Sequence, residues 1–199
     1  MRRISSVWGE KQLFFARWIK NPLTLGAILP SSKNLSRFVA SSVLEENRAL
    51  IRQKKYVLEI GAGTGSFTSA LLEAGIPCDQ IISVELDPKL FSYLQKRFPQ
   101  VKTMCADASK MHKILPDALR HNIATVVSGI PMMSLPAQAR EAIIASSFSL
   151  LGDTGLFYQF TYSPFSSIPA ETFKLVKRRI GTVFFNVPPA TVWSYRRSA

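Results

Sequence analysis

Cysteine and histidine are scarce in this chain, with two of each in 199 residues. Cys78 and Cys105 supply neither a disulfide framework nor metal-ligand spacing, and they read as small buried hydrophobes in a reducing compartment. No uncharged apolar run reaches the ~18 residues or more that a membrane-spanning helix needs. The start Met1-Arg2-Arg3 is basic, but Glu10, Lys11, Arg17 and Lys20 interrupt the apolar core of a secretory signal. The expectation is a soluble or peripheral protein. Low-complexity tracts are missing too, and 47% hydrophobic with 19% charged residues suits one ordered domain. Acids are few: 13 Asp and Glu face 25 Lys and Arg, a net charge of +12. Such a surplus bears on partners, whether nucleic acid, an anionic membrane surface or an acidic ligand.

What is present is alternation. Tyr56 to Ile60 is a short, mostly apolar run ending in glycines, the pattern of a buried parallel strand. A helix follows from Ser66 to Leu72, closed near Gly75 and Pro77. Further strands are expected at Gln80–Glu85, Val101–Cys105, Ile123–Val127 and Gly155–Thr161, with helices from Pro88 to about Arg97 and from Pro136 to about Leu151. This spacing predicts right-handed crossovers and an α/β fold around a mostly parallel sheet. Arg179–Phe185 and Ala190–Arg196 are separated only by Asn186-Val187-Pro188-Pro189, which suits an antiparallel hairpin. Residues 1–50 form a helical N-terminal extension and membrane or lid segment, and residues 55–199 the core.

The loop Glu59-Ile60-Gly61-Ala62-Gly63-Thr64-Gly65 joins a strand to a helix, where glycines permit a sharp turn and close backbone approach to a ligand. A dinucleotide fingerprint would place its third glycine at Ser66. The form E-x-G-x-G-x-G instead resembles the first motif of S-adenosylmethionine enzymes, with Ala62 packed against the ligand. At the next strand end, Glu85 can accept hydrogen bonds from ribose hydroxyls, with Leu86 beside it. A solvated strand-end carboxylate is the plainer alternative, and Asp87 is a rival that also suits a helix cap. Asp107 ends the third strand. Methyltransferases place an acid there for the adenine amino group, with the next amide, here Ala108, on a ring nitrogen; Asp107 also suits an N-cap.

The fourth strand ends in Val127-Ser128-Gly129-Ile130-Pro131. Where amino-methylating relatives carry an acid or amide and then an aromatic, this chain has Ser128 and Met132. Ser128 is the residue expected to orient the acceptor and touch the cofactor, with Gly129, Ile130 and Pro131 beside the substrate; an ordinary strand-to-helix turn is the alternative.

Over nearly its full length the chain resembles the bacterial phospholipid N-methyltransferases, a family close to the ribosomal RNA adenine dimethylases. The markers are the segment Asn21 to Ser32, the Glu59 loop, Ser128-Gly129-Ile130-Pro131, Gln159-Phe160-Thr161-Tyr162 and Asn186-Val187-Pro188-Pro189-Ala190. The resemblance implies a Rossmann-like class I fold, S-adenosylmethionine as cofactor, and stepwise methylation of phosphatidylethanolamine toward phosphatidylcholine by a cytoplasmic protein on the inner face of the membrane.

The N-terminal pattern supports a membrane partner independently. At 100° per residue, Ile4, Val7, Trp8, Phe14, Phe15, Trp18 and Ile19 share one arc, with Arg17 and Lys20 alongside. Aromatics with nearby cations suit a helix lying in an anionic bilayer interface, although Lys11 falls inside the apolar arc and must snorkel. Packing on the protein's own core is the alternative. Tyr162 is a further catalytic and substrate candidate, because an amine cation near an aromatic ring is favoured, with core or surface packing the near-equal alternative. His112 and His121 read as surface residues. Arg178, Arg179, Arg196 and Arg197 are candidates for lipid phosphates, with solvated hairpin ends the better default. Two other functions stay open: an RNA adenine dimethylase, and a non-catalytic membrane-surface or nucleic-acid-binding module.

Overall fold

A computed structural model describes residues 33–120, 122–186 and 188–198. Residues 31–199 form one compact unit. The expected membrane helix, with Trp8, Phe14, Phe15, Trp18 and Lys20, lies outside the described residues, as does His121.

Seven strands form one sheet. They are β1 (Tyr56–Ile60), β2 (Ile81–Glu85), β3 (Lys102–Cys105), β4 (Ile123–Ser128), β5 (Leu151–Thr161), β6 (Leu175–Val183) and β7 (Ala190–Arg197). Their order is β3-β2-β1-β4-β5-β7-β6. The first five run parallel, while β7 is antiparallel to both β5 and β6. Every residue of β2 and β4 is buried, which explains why their sequences are apolar runs rather than alternations. This is the Rossmann-like class I arrangement.

The helices follow local signals. In α1 (Lys33–Arg52), Leu35, Val39, Ala40, Val43 and Ile51 are buried at three- and four-residue spacing, and the helix packs on α2 (Ser66–Glu73) and on β4 and β6. Asp87 caps α3 (Pro88–Arg97), its Oδ1 accepting the amides of Lys89 and Leu90 at 2.8 and 3.0 Å, with Pro88 at the first helical position. Two short helices, α4 (Met111–Ile114) and α5 (Asp117–Arg120), precede β4, and α6 (Ala137–Leu150) precedes β5. Phe148, Phe157 and Tyr195 pack together on the α6 face of the sheet.

Five expectations need correction. Strand β5 begins at Leu151, and β6 begins at Leu175 rather than Arg179. The last hairpin pair is Val183 with Ala190, so Phe184 and Phe185 lie in the turn, 75% and 88% exposed. Neither cysteine is buried: Cys105 is exposed at the end of edge strand β3, and Cys78 is half-buried. His112 is half-buried rather than superficial, its Nδ1 lying 3.0 Å from Ser146 Oγ.

Parallel strands send their carboxyl ends to one edge, where ligands bind in open α/β sheets. Glu85, Cys105, Ser128 and Thr161 end their strands there. Because Thr161 pairs with Thr191 at the start of β7, the turn carrying Phe184 and Phe185 reaches the same edge.

Candidate active site

The loop after β1 is locked by its neighbours. Ala62 donates to Val84 O at 3.0 Å, and Gly65 donates to Ala62 O at 2.8 Å. Side chains at two of the glycines would collide: a Cβ on Gly61 would lie 2.5 Å from Ile130 Cγ1, and one on Gly65 would meet the Phe98 ring and lie 2.9 Å from Leu94 Cδ2. Gly63 is different. Its φ is +57°, and a Cβ there would meet nothing within 4 Å among the described residues. Among the described residues the loop therefore packs through Gly61 and Gly65 and is open at Gly63. Arg97 closes the far side, donating to Thr64 O at 2.8 Å while stacking over Phe98.

Glu85 is the buried acid of this edge, 3% exposed. Its Oε2 accepts the amide of Gly63 at 2.7 Å and its Oε1 that of Asp87 at 2.9 Å. Burial pushes its pKa above the usual carboxylate range, against the lowering effect of these amides. Each oxygen keeps a second lone pair for a ligand hydroxyl. The rival Asp87 is occupied in capping α3. Leu86 is partly exposed beside it, its carbonyl receiving the Cys105 thiol at 3.8 Å.

Glu59 sits behind the loop, fully buried. Its Oε2 accepts the hydroxyls of Thr68 and, at 2.9 Å, Ser83, while Oε1 has no partner among the described residues. Desolvation raises its pKa to about 7. Asp107 caps a single 3-10 turn (Ala108–Lys110), with Oδ1 accepting Ser109 N at 2.9 Å and Ser109 Oγ at 2.7 Å. That cap uses one oxygen. Ala108 is buried beneath.

On the substrate side, the turn after β4 folds onto itself. Ser128 is buried, and its Oγ accepts Ile130 N at 3.3 Å. Gly129 donates to Ile60 O at 2.9 Å, and a Cβ there would lie 2.5 Å from Gly61 O. Pro131 opens a 3-10 turn, Met132–Ser134. Gln159, which sequence reasoning noted only as part of a family marker, anchors this turn: its Nε2 donates to Ile130 O at 3.0 Å and Phe160 O at 2.9 Å. Tyr162 stands edge-on to Phe160 at 5.7 Å, its hydroxyl bonded to the Asn186 side chain, and burial raises its pKa.

Three of the arginines named as candidates for lipid phosphate have partners within the protein. Arg178 pairs with Glu46, Arg179 donates to Thr182 Oγ1, and Arg197 donates to Phe148 O at 2.8 Å. Arg196 and Arg197 end β7 at the opposite edge of the sheet, because β7 runs antiparallel to β5.

Comparison with known proteins gives the family. Residues 20–134 match the family model described as ribosomal RNA adenine dimethylase. The chain is 28% identical over 155 residues to an ornithine lipid N-methyltransferase of Singulisphaera acidiphila, covering 76% of this chain and 78% of that one. It is 30% identical over 142 residues to a ribosomal RNA small subunit methyltransferase A of Synechococcus, covering 71% of this chain but only 39% of the relative. Among solved structures, the 1,6-didemethyltoxoflavin-N1-methyltransferase of Burkholderia thailandensis, bound to S-adenosylhomocysteine, matches all of this chain and 94% of its own with TM-score 0.65 and 15% identity, a likeness of fold. The geometry fits the cofactor of such enzymes: open space over Gly63, a buried carboxylate beside it at Glu85, and Asp107 at the next strand end. The chain belongs to the ribosomal RNA adenine dimethylase family, and it is an S-adenosylmethionine-dependent methyltransferase.

Proposed function

We propose that the protein is a lipid N-methyltransferase acting on the amine of phosphatidylethanolamine, toward phosphatidylcholine, at an anionic membrane surface. The observation that carries this reading is the self-satisfied turn after β4. Gly129 has no room for a side chain, and Ser128 Oγ is turned onto Ile130 N, so the turn offers no amide or acid to clamp a nucleobase edge. Phe165, Phe184 and Phe185 are exposed near this end of the sheet, as suits an acceptor presented by a lipid surface. The lipid-methylating relative is also matched over most of its length, and the N-terminal aromatic and basic pattern suits a bilayer interface.

In this reading Gly61, Ala62, Gly63 and Gly65 cradle the cofactor from the β1 side, Glu85 and Leu86 hold the ribose, and Asp107 and Ala108 hold the adenine. The cofactor supplies an electrophilic methyl group. The chain's own contribution is orientation and exclusion of water. Ser128, Gly129, Ile130 and Pro131 border the acceptor amine, and the ring of Tyr162 faces its cationic form. The amine would lose its proton to water, and its lone pair would then form the N–C bond as the cofactor's methyl–sulfur bond broke, leaving that electron pair on a neutral thioether.

Incubation of the purified protein with labelled S-adenosylmethionine and phosphatidylethanolamine vesicles tests this, with products separated by methyl number. Label in the lipid phase is expected. Transfer to ribosomal RNA with none to lipid would overturn the reading in favour of an RNA dimethylase, which the family membership and the net charge of +12 also suit.

A further inference from the structure

Five buried side-chain polar atoms have no hydrogen-bond partner among the described residues: Glu59 Oε1, Arg140 Nε, Gln159 Oε1, Ser167 Oγ and Trp193 Nε1. Three of the five belong to residues lining one surface cavity of about 460 Å³. Arg140 comes from the first turn of α6, Ser167 from the β5–β6 connection, and Trp193 from β7. Buried polar groups in folded proteins are nearly always paired, so three orphans around one cavity point to contacts that a ligand makes.

Their chemistry is one-sided. A guanidinium Nε–H and an indole N–H only donate, and the hydroxyl of Ser167, 7% exposed, can also donate. The other charged residues of the wall, Lys177 and Glu171, pair with each other at 3.3 Å. Among the described residues no acid pairs with Arg140, so it is the uncompensated charge of the lining, and the complementary ligand is a singly charged anion rich in acceptor oxygens. Charge-assisted hydrogen bonds from arginine suit phosphate oxygens especially well. Met133 and Phe165, 61% and 76% exposed, add an apolar border. That border favours a phosphodiester attached to hydrocarbon over the ribose-phosphate backbone of RNA.

The cavity also adjoins the substrate turn. Met133 follows Pro131 in the 3-10 turn, and Thr161 Oγ1 lies 3.3 Å from its sulfur, one residue before Tyr162. We propose that this cavity binds the phosphodiester of the acceptor phospholipid. Arg140, Ser167 and Trp193 donate to its oxygens, Met133 and Phe165 touch the apolar part of the lipid, and the headgroup amine extends toward Ser128. The proposal rests on the lipid reading and adds to it the group that selects phospholipids over other amines.

The test is calorimetric titration of the full chain, loaded with S-adenosylhomocysteine, with dihexanoyl phosphatidylethanolamine kept below its micelle concentration. Inorganic phosphate, glycerophosphoethanolamine and a ribosomal RNA fragment are titrated in parallel. Arg140→Gln and Trp193→Phe are each expected to weaken lipid binding about 10-fold or more, with affinity for S-adenosylhomocysteine unchanged as evidence of intact folding. Glycerophosphoethanolamine should bind more weakly, because it lacks the apolar part, and inorganic phosphate weakest. Unchanged lipid affinity in both variants overturns the site, as does failure of the lipid to bind the wild-type chain. Inorganic phosphate binding as tightly as the lipid overturns the phospholipid assignment, and selective loss of RNA binding in Arg140→Gln reassigns the cavity to RNA. Methylation of phosphatidylethanolamine with unaltered KM in both variants would remove this site while leaving the function standing. Arg140-dependent lipid binding without methylation would do the reverse.

Discussion

The amide of Gly63 donates to Glu85 Oε2 at 2.7 Å, tying the one open glycine of the β1 loop to the buried acid at the end of β2. The same carboxylate takes the Asp87 amide on its other oxygen. Glu85 thus sets the loop's shape while facing the space over Gly63.

Removing this carboxylate should disturb cofactor binding more than the fold. Hydrogen bonds to a charged group contribute about 1.5–3 kcal/mol each. Glu85→Ala is expected to weaken S-adenosylmethionine binding by roughly 10- to 100-fold in calorimetry. Unchanged affinity would remove Glu85 from the cofactor site.

Glu59 predicts a pH dependence of stability. Its pKa rises from 4.5 to about 7 through burial, so the native protein holds a proton that the unfolded chain releases between those values. Stability from this group is full below pH 4.5 and is lost as pH rises through 7. Glu59→Gln lacks the titration and should gain on the wild type by up to roughly 3 kcal/mol between pH 5 and pH 8.5. Urea unfolding without cofactor at both pH values checks it; parallel shifts in the two proteins would show that Glu59 does not titrate in this range.

Gln159 acts through the substrate turn. Its Nε2 serves Ile130 O and Phe160 O, so its amide orientation is fixed, and Gln159→Glu would set a carboxylate against two carbonyls. Gln159→Glu should lower kcat by about 10-fold or more, since a misplaced substrate contact readily has that effect. Cofactor affinity should change by less than about threefold, because the side chain touches the β4 turn rather than the β1 loop. Equal losses in both would mean that Gln159 supports the fold generally.

The parts of this architecture that depend on neighbours in sequence were legible before the structure. Asp87-Pro88 marks the start of α3, and Glu59 to Gly65 marks the loop, because caps and turns are local chemistry. The rest depends on sheet order. Cys105 is exposed because β3 is an edge strand, which no feature near Cys105 announces. Phe184 and Phe185 read as strand by residue type, yet the register Val183 to Ala190 ends pairing just before them. Arg140, Ser167 and Trp193 meet only because β7 inserts between β5 and β6. Likewise, the antiparallel direction of β7 carries Arg196 and Arg197 away from the site.

Tyr162 separates ring from hydroxyl. Phe160 holds its ring edge-on at 5.7 Å, so Tyr162→Phe keeps the aromatic face in place. A cation over an aromatic ring is worth about 0.5–2 kcal/mol. Tyr162→Ala should therefore reduce kcat/KM for phosphatidylethanolamine by roughly 2- to 30-fold, with Tyr162→Phe near wild type. If the Phe variant falls as far as the Ala variant, the hydroxyl and its bond to Asn186 matter instead.

Under the proposed lipid reading, the turn between β6 and β7 is where the protein is expected to meet the bilayer. Phe184 and Phe185 are 75% and 88% exposed, so neither holds the core together, and their removal should leave the unfolding midpoint within a degree or two. Full burial of a large apolar side chain is worth about 1.5–3 kcal/mol, and an interfacial location recovers only part of that. The double variant Phe184→Ser, Phe185→Ser is expected to lower co-sedimentation with anionic vesicles by about 10-fold or more. Its activity on dihexanoyl phosphatidylethanolamine in free solution should persist, because the turn residues lie outside the cofactor loop and the β4 turn. Undiminished vesicle binding would show that the exposed phenylalanines carry no membrane contact.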